Sequence, residues 1–146
     1  MKKILISLLL VVSCSSKDIK NIGLIEKGGA TKFKLCPKKP NCYSSAEAID
    51  SDNYFFPITI KEPKLVAFEK SLKIIAKMGG KVITQKKYYI HATFTSSIFR
   101  FIDDLEVYTG DQDIVQIKSS SRMGHSDLGV NKKRLSDFTF RYHQSR

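Results

Sequence analysis

At 146 residues, with three cysteines and a formal charge of +11, the chain is sized for one domain and a short tether. In a cytosolic protein that charge would point to nucleic acid, but the export signal read below removes this option. The anions left are phospholipid or lipopolysaccharide headgroups, or an acidic envelope protein. A solvated cationic face with no partner is the alternative.

The chain begins MKKILISLLLVVSC, with Lys2 and Lys3 ahead of an apolar run from Ile4 to Val12. About nine residues cannot span a bilayer, which takes about 20, so residues 1–13 read as a secretion signal. The close on Val11-Val12-Ser13-Cys14 resembles a bacterial lipobox. That resemblance implies cleavage before Cys14 and a diacylglyceryl group on its sulfur, and two or three acyl chains suffice for stable anchoring. An ordinary signal peptide that happens to carry a cysteine is the other reading. Loss of Lys2 and Lys3 takes the charge from +11 to +9. Ser15, where retained lipoproteins of some enteric bacteria carry Asp, favours the outer membrane, facing the periplasm. Residues 14–34, rich in Lys, Gly and Ser without sustained apolar periodicity, read as the tether, and residues 35–146 as the domain.

Cys36 and Cys42 bracket CPKKPNC, whose prolines and Asn favour a tight turn. In an oxidising compartment a disulfide is the default there, and the spacing fits neither a CxxC redox pair nor a zinc site. NYFFPITI reads as a short strand, with Pro57 placing it at an edge or a start. Pro63 suits a first helical turn, and Leu65, Phe68, Leu72, Ile75 and Ala76 recur at helical spacing until Gly79-Gly80 ends the helix. KVITQKK leads into YYIHATFT, which puts Ile90, Ala92 and Phe94 on one face and Tyr89, His91 and Thr93 on the other. In FRFIDDLEVYTG the residues Phe101, Asp103, Leu105 and Val107 share a face. After the turn TGDQD, so do Val115, Ile117, Ser119 and Ser121 in IVQIKSSSR. Asn131 reads as the cap of a last helix carrying Leu135, Phe138 and Tyr142. The order β-α-β-β-β-β-α, with short turns between strands, predicts an α+β fold. It is an antiparallel sheet of about four to five strands with two helices on one face.

Three segments, CPKKPNCYSS, YYIHATFTSSIFRFIDDLEV and VQIKSSSRMGHSDLGVNKKRL, resemble in order domain-of-unknown-function family fourteen ninety-nine. The resemblance spans Leu35 to Phe138. It implies this fold and an exported or membrane-anchored setting, and it brings no activity.

Two constellations hold the functional residues. Asp103, Ser119 and Ser121 lie on core-facing positions and need hydrogen-bond partners there, with Arg122 or Arg100 as donors. They make a polar network that pins register, a binding pocket, or a catalytic site. Lys132, Lys133 and Arg134 sit in the first turn of the last helix, where the macrodipole disfavours cations. Either Asp127 and Asp104 compensate them, or Arg122, Gly124, Ser126, Asn131, Lys132, Lys133 and Arg134 converge on a guest anion. The enzymatic alternative is an envelope hydrolase or transferase using Asp103, His91 and the Ser119–Asp127 loop. The three histidines lack ligand spacing and no phosphate-binding glycine pattern occurs, so no metal or cofactor is expected.

Overall fold

A computed structural model describes residues 21–111 and 113–145, so the signal and Cys14 lie outside the described residues. Its elements are β1 (Leu24–Lys27), β2 (Ala30–Phe33), β3 (Cys42–Ser44), β4 (Ile58–Thr59), α1 (Lys64–Lys77), β5 (Lys81–Lys86), β6 (Tyr89–Thr95), β7 (Ile102–Tyr108), β8 (Ile114–Ser121) and α2 (Val130–Gln144). The main sheet is antiparallel and six-stranded, in the order β3-β8-β7-β6-β5. β4 pairs with the other half of the β8 edge that β3 occupies.

The expected α+β architecture is therefore present, and the helix and strand order from β4 onward follows the periodicity. The elements beyond that expectation are β1, β2 and β3, each too short to carry a readable alternation. β1 and β2 form a separate hairpin inside the stretch 14–34 that reads as tether, and Phe33 at its end is fully buried.

α1 and α2 cover one face of the sheet. The core there is built from Ile90, Ala92, Leu105, Val107, Val115 and Ile117 of the strands, packed against Phe68, Ile75, Leu135 and Phe138 of the helices. The buried stripe of α1 is rotated from the expected one: Ala67, Phe68, Ser71, Ile74 and Ile75 are buried, while Leu65 is 58% exposed and Ala76 is exposed. Ser71 disguises the stripe, because its hydroxyl is satisfied inside the helix by donating to Ala67 O at 2.7 Å. Gly79 (φ 80°) ends α1 in the left-handed region, and a Cβ on Gly80 would lie 2.7 Å from the Phe94 ring.

The other face of β6, β7 and β8 is polar in sequence, yet it is buried as well. His91, Asp104, Glu106, Gln116 and Lys118 all lie there, and residues 21–34 reach Glu106, Gln116 and Lys118. Gly23 N–H donates to Glu106 Oε1 at 2.7 Å, and Gln116 Nε2 donates to Thr31 O at 3.3 Å. A His on the polar face of a strand is ordinarily a surface residue. Instead His91 is only 5% exposed.

Candidate functional site

On the helix-facing side, the polar residues of β7, β8 and α2 close into a ring. Asp103 accepts from Ser121 Oγ at 2.6 Å and from Arg134 Nη2 at 2.8 Å. Arg134 Nη1 donates to Asn131 Oδ1 at 2.6 Å, and Asn131 Nδ2 donates to Ser121 Oγ at 2.8 Å. Ser119 Oγ lies 2.5 Å from Asn131 Oδ1 and 3.0 Å from Asp104 O. Asn131 is the hub and is fully buried. It sits one turn before Leu135 on the α2 face that also buries Phe138 and Tyr142, so helical periodicity carries an amide into the core with them.

Asn131 is therefore not the cap. The N-cap position is Gly129 (φ 82°), and Asp127 does the capping chemistry from two residues upstream. Its carboxylate accepts from Gly129 N–H at 3.0 Å and from Asn131 N–H at 2.7 Å, and Asn131 Nδ2 adds a third bond at 2.7 Å. A carboxylate thus already occupies the positive end of the helix.

On the opposite face, Arg122 grips Asp104 with two bonds, Nε to Oδ2 at 3.0 Å and Nη2 to Oδ1 at 2.9 Å. His91 Nε2 adds a third at 2.7 Å. Burial would raise the Asp104 carboxyl. Hydrogen bonds from His91 and Arg122, and their charge, outweigh it and hold the group below the usual carboxylate range. Beside this cluster Lys118 Nζ lies 3.1 Å from Glu106 Oε2, without hydrogen-bond geometry. Its directed bonds go instead to the backbone carbonyls of Asn21 and Lys34, the latter at 2.9 Å. Tyr89 hydroxyl donates to Glu106 Oε1 at 2.8 Å. Burial and that carboxylate push the phenol upward, so it stays a donor.

The sequence-derived candidates are thus divided between two faces. Asp103, Ser119, Ser121 and Asp127 are joined, through Asn131 and Arg134. The Asp103 partner is Arg134; Arg122 belongs to Asp104, because residues 121 and 122 point to opposite sides of β8. Arg100 is exposed. Gly124 offers its carbonyl to Asn41 Nδ2 at 2.9 Å, and Ser126 Oγ accepts from Leu128 N–H at 3.2 Å. Lys132 and Lys133 remain on the surface, Lys133 paired with Asp137 at 2.6 Å. His91 and Asp103 lie on opposite faces, with Asp104 and Arg134 as their respective partners, so the hydrolase constellation is not assembled. The Sγ atoms of Cys36 and Cys42 are 2.01 Å apart. Among the described residues no group of three or more His, Cys, Asp or Glu side chains could hold a metal ion. No helix among them is long and apolar enough to cross a membrane.

What the sequence did not single out is the cluster that Glu106 forms with Lys118 and Tyr89. A signal existed. The β7–β8 hairpin pairs Glu106 directly with Lys118, so opposite charges face each other across the turn.

Fold and polar core together define an α+β domain whose sheet is buried on both faces at its centre, over β6, β7 and β8. A protein-family model described as protein of unknown function (DUF1499) matches residues 32–141, and the chain belongs to that family. No curated protein and no solved structure matches the chain.

Proposed function

We propose that the chain is a lipid-anchored cell-envelope domain that binds a phosphate-bearing anionic surface and carries out no chemistry of its own. Its anchor is Cys14, and its place is the outer membrane, facing the periplasm. The observation that carries the reading is the way charge is sorted between inside and outside. The carboxylates of Asp103, Asp104, Glu106 and Asp127 are spent on internal partners, and among the described residues Lys118, Arg122 and Arg134 are the Lys and Arg side chains that go in with them. Lysines such as Lys38, Lys39, Lys132 and Lys133 are exposed, so the surface is strongly basic. Recognition by such a surface is spread over many cations, in place of one phosphate held at the α2 entrance, where Asp127 already sits.

The non-catalytic part of the reading is supported by the titratable groups. His91 and Asp104 are buried and bound to each other, and the cavity that Asp104 borders together with Ser120 measures only about 60 Å³. The test is co-sedimentation of the Ser15–Arg146 chain with phosphatidylcholine vesicles and with vesicles containing phosphatidylglycerol, at low and high salt. Binding to the anionic vesicles that weakens as salt rises is expected. Equal partition to both lipids at all salt concentrations would refute it.

A further inference from the structure

Two loops at one end of the sheet, Ser96–Phe101 between β6 and β7 and Arg122–Gly129 between β8 and α2, push large apolar side chains into solvent. Ile98 is 80%, Phe99 72%, Met123 66% and Leu128 95% exposed. Phe101, Ile102, Met123 and Val130 line one shared cleft of about 320 Å³, so the loops make a single surface. An apolar patch of this kind marks an interaction site.

The backbone holds these side chains outward. Ser96 N–H donates to Phe101 O, and Phe101 N–H donates to Ser96 Oγ, both at 2.9 Å, closing the base of the first loop. Arg100 (φ 56°) and Leu128 (φ 54°) occupy the left-handed region, which non-glycine residues adopt at a cost. The Phe99 and Phe101 rings stack with centroids 5.6 Å apart.

The charges around the patch are basic. Arg100 lies between the two phenylalanines, and the exposed Lys132 follows Val130 and Asn131. The carboxylates of the same region, Asp103 and Asp127, are taken up by Arg134 and by the α2 backbone. Asn21, the first described residue, borders a small cavity with Arg122 and Gly124 at this same end. Six residues separate it from Cys14, a reach of at most about 25 Å.

We propose that this tip seats in the interface of an anionic bilayer. Ile98, Phe99, Met123 and Leu128 enter the boundary between headgroups and acyl chains, and Arg100 and Lys132 meet the phosphates. The proposal rests on the anionic-surface reading above and assigns it a means. An anchor at Cys14 would hold the domain with this end toward the lipid.

The chain has no tryptophan, so Phe99→Trp supplies a single reporter at the tip. Phe140→Trp supplies a control at a site 65% exposed, about 15 Å along α2 from Val130. The full mature chain carrying either change is mixed with phosphatidylcholine vesicles, with or without phosphatidylglycerol, and with brominated acyl chains as quencher. The Phe99→Trp emission should shift to the blue and lose most of its intensity on anionic vesicles, while the Phe140→Trp emission stays that of water. Quenching that is equal on neutral and anionic vesicles would uphold insertion and sink the anionic-surface reading alone. If the chain binds anionic vesicles yet the Phe99→Trp reporter stays in water on every vesicle, the tip does not enter lipid. The proposal is then overturned, and a protein partner becomes the occupant to seek.

Discussion

Lys118 Nζ lies 3.1 Å from Glu106 Oε2, and neither side chain is more than 1% exposed. The pair sits on the sheet face away from the helices, under a lid made by residues 21–34. Removing one partner leaves the other charged and enclosed. Glu106→Gln or Lys118→Met should therefore cost about 3–5 kcal/mol in urea unfolding. The double change Glu106→Gln with Lys118→Met, which keeps an acceptor for Tyr89 and Gly23, should cost less than the sum of the two single changes. Additive losses in the double variant would show that the two residues do not act as a pair.

Asp104 makes stability depend on acid. Its carboxyl is held below the usual range, so the unfolded chain binds its proton more readily than the folded one. The stability it contributes is fully present above the ordinary Asp value of about 3.9 and is lost as pH falls through the lowered folded value. Wild type should lose stability over that acid window, and Asp104→Asn should be less stable at neutral pH with a flatter acid limb. A variant whose curve parallels wild type would count against this.

At the α2 entrance, folding and binding should separate. Asp127→Asn removes the carboxylate that holds the first backbone donors and should cost about 1 kcal/mol. Its affinity for anionic vesicles should be unchanged or higher. Lys132→Glu gains about 0.3–1 kcal/mol from the helix dipole. It loses a contact with the Tyr43 ring, whose centroid is 5.7 Å from Nζ. Its melting point should therefore move little, while its vesicle affinity falls. Melting curves and co-sedimentation on the same samples test both.

Cys36 and Cys42 should show no free thiol in exported protein. Reduction should destabilise the domain by about 2 kcal/mol without unfolding it, because the loop is short. Thiol titration before and after reduction checks this, and two reactive thiols in the unreduced protein would contradict the pairing.

Cys14→Ala should release the protein from the membrane fraction and abolish incorporation of labelled palmitate. An unaltered distribution, with no label in wild type, would remove lipid anchoring from the account.

Local pattern made a large part of this fold legible. The alternation in YYIHATFT and IVQIKSSSR, the glycines after α1 and the spacing of Leu135, Phe138 and Tyr142 each reflect a periodicity that the backbone imposes on its own neighbours. The core-facing positions of Asp103, Ser119 and Ser121 followed from the same alternation, and with them the need for partners. Which partner each found was not legible. Arg134 reaches Asp103 only because α2 crosses the sheet at β8, and Arg122 turns away to the other side.

The sequence by itself determined the order of elements from β4 onward, the antiparallel sheet and the polar character of the β8–α2 connection, since these depend on period and turn chemistry. Only the tertiary structure decided that His91, Asp104, Glu106 and Lys118 are interior. A strand with charges at alternate positions reads as half solvated, whatever is later laid across it. Here the segment 21–34, far away in sequence and weak in local signal, folds over that face and supplies carbonyls and an amide to the charges beneath. Burial of a charge is set by its partner and its lid, and neither is a local property of the chain.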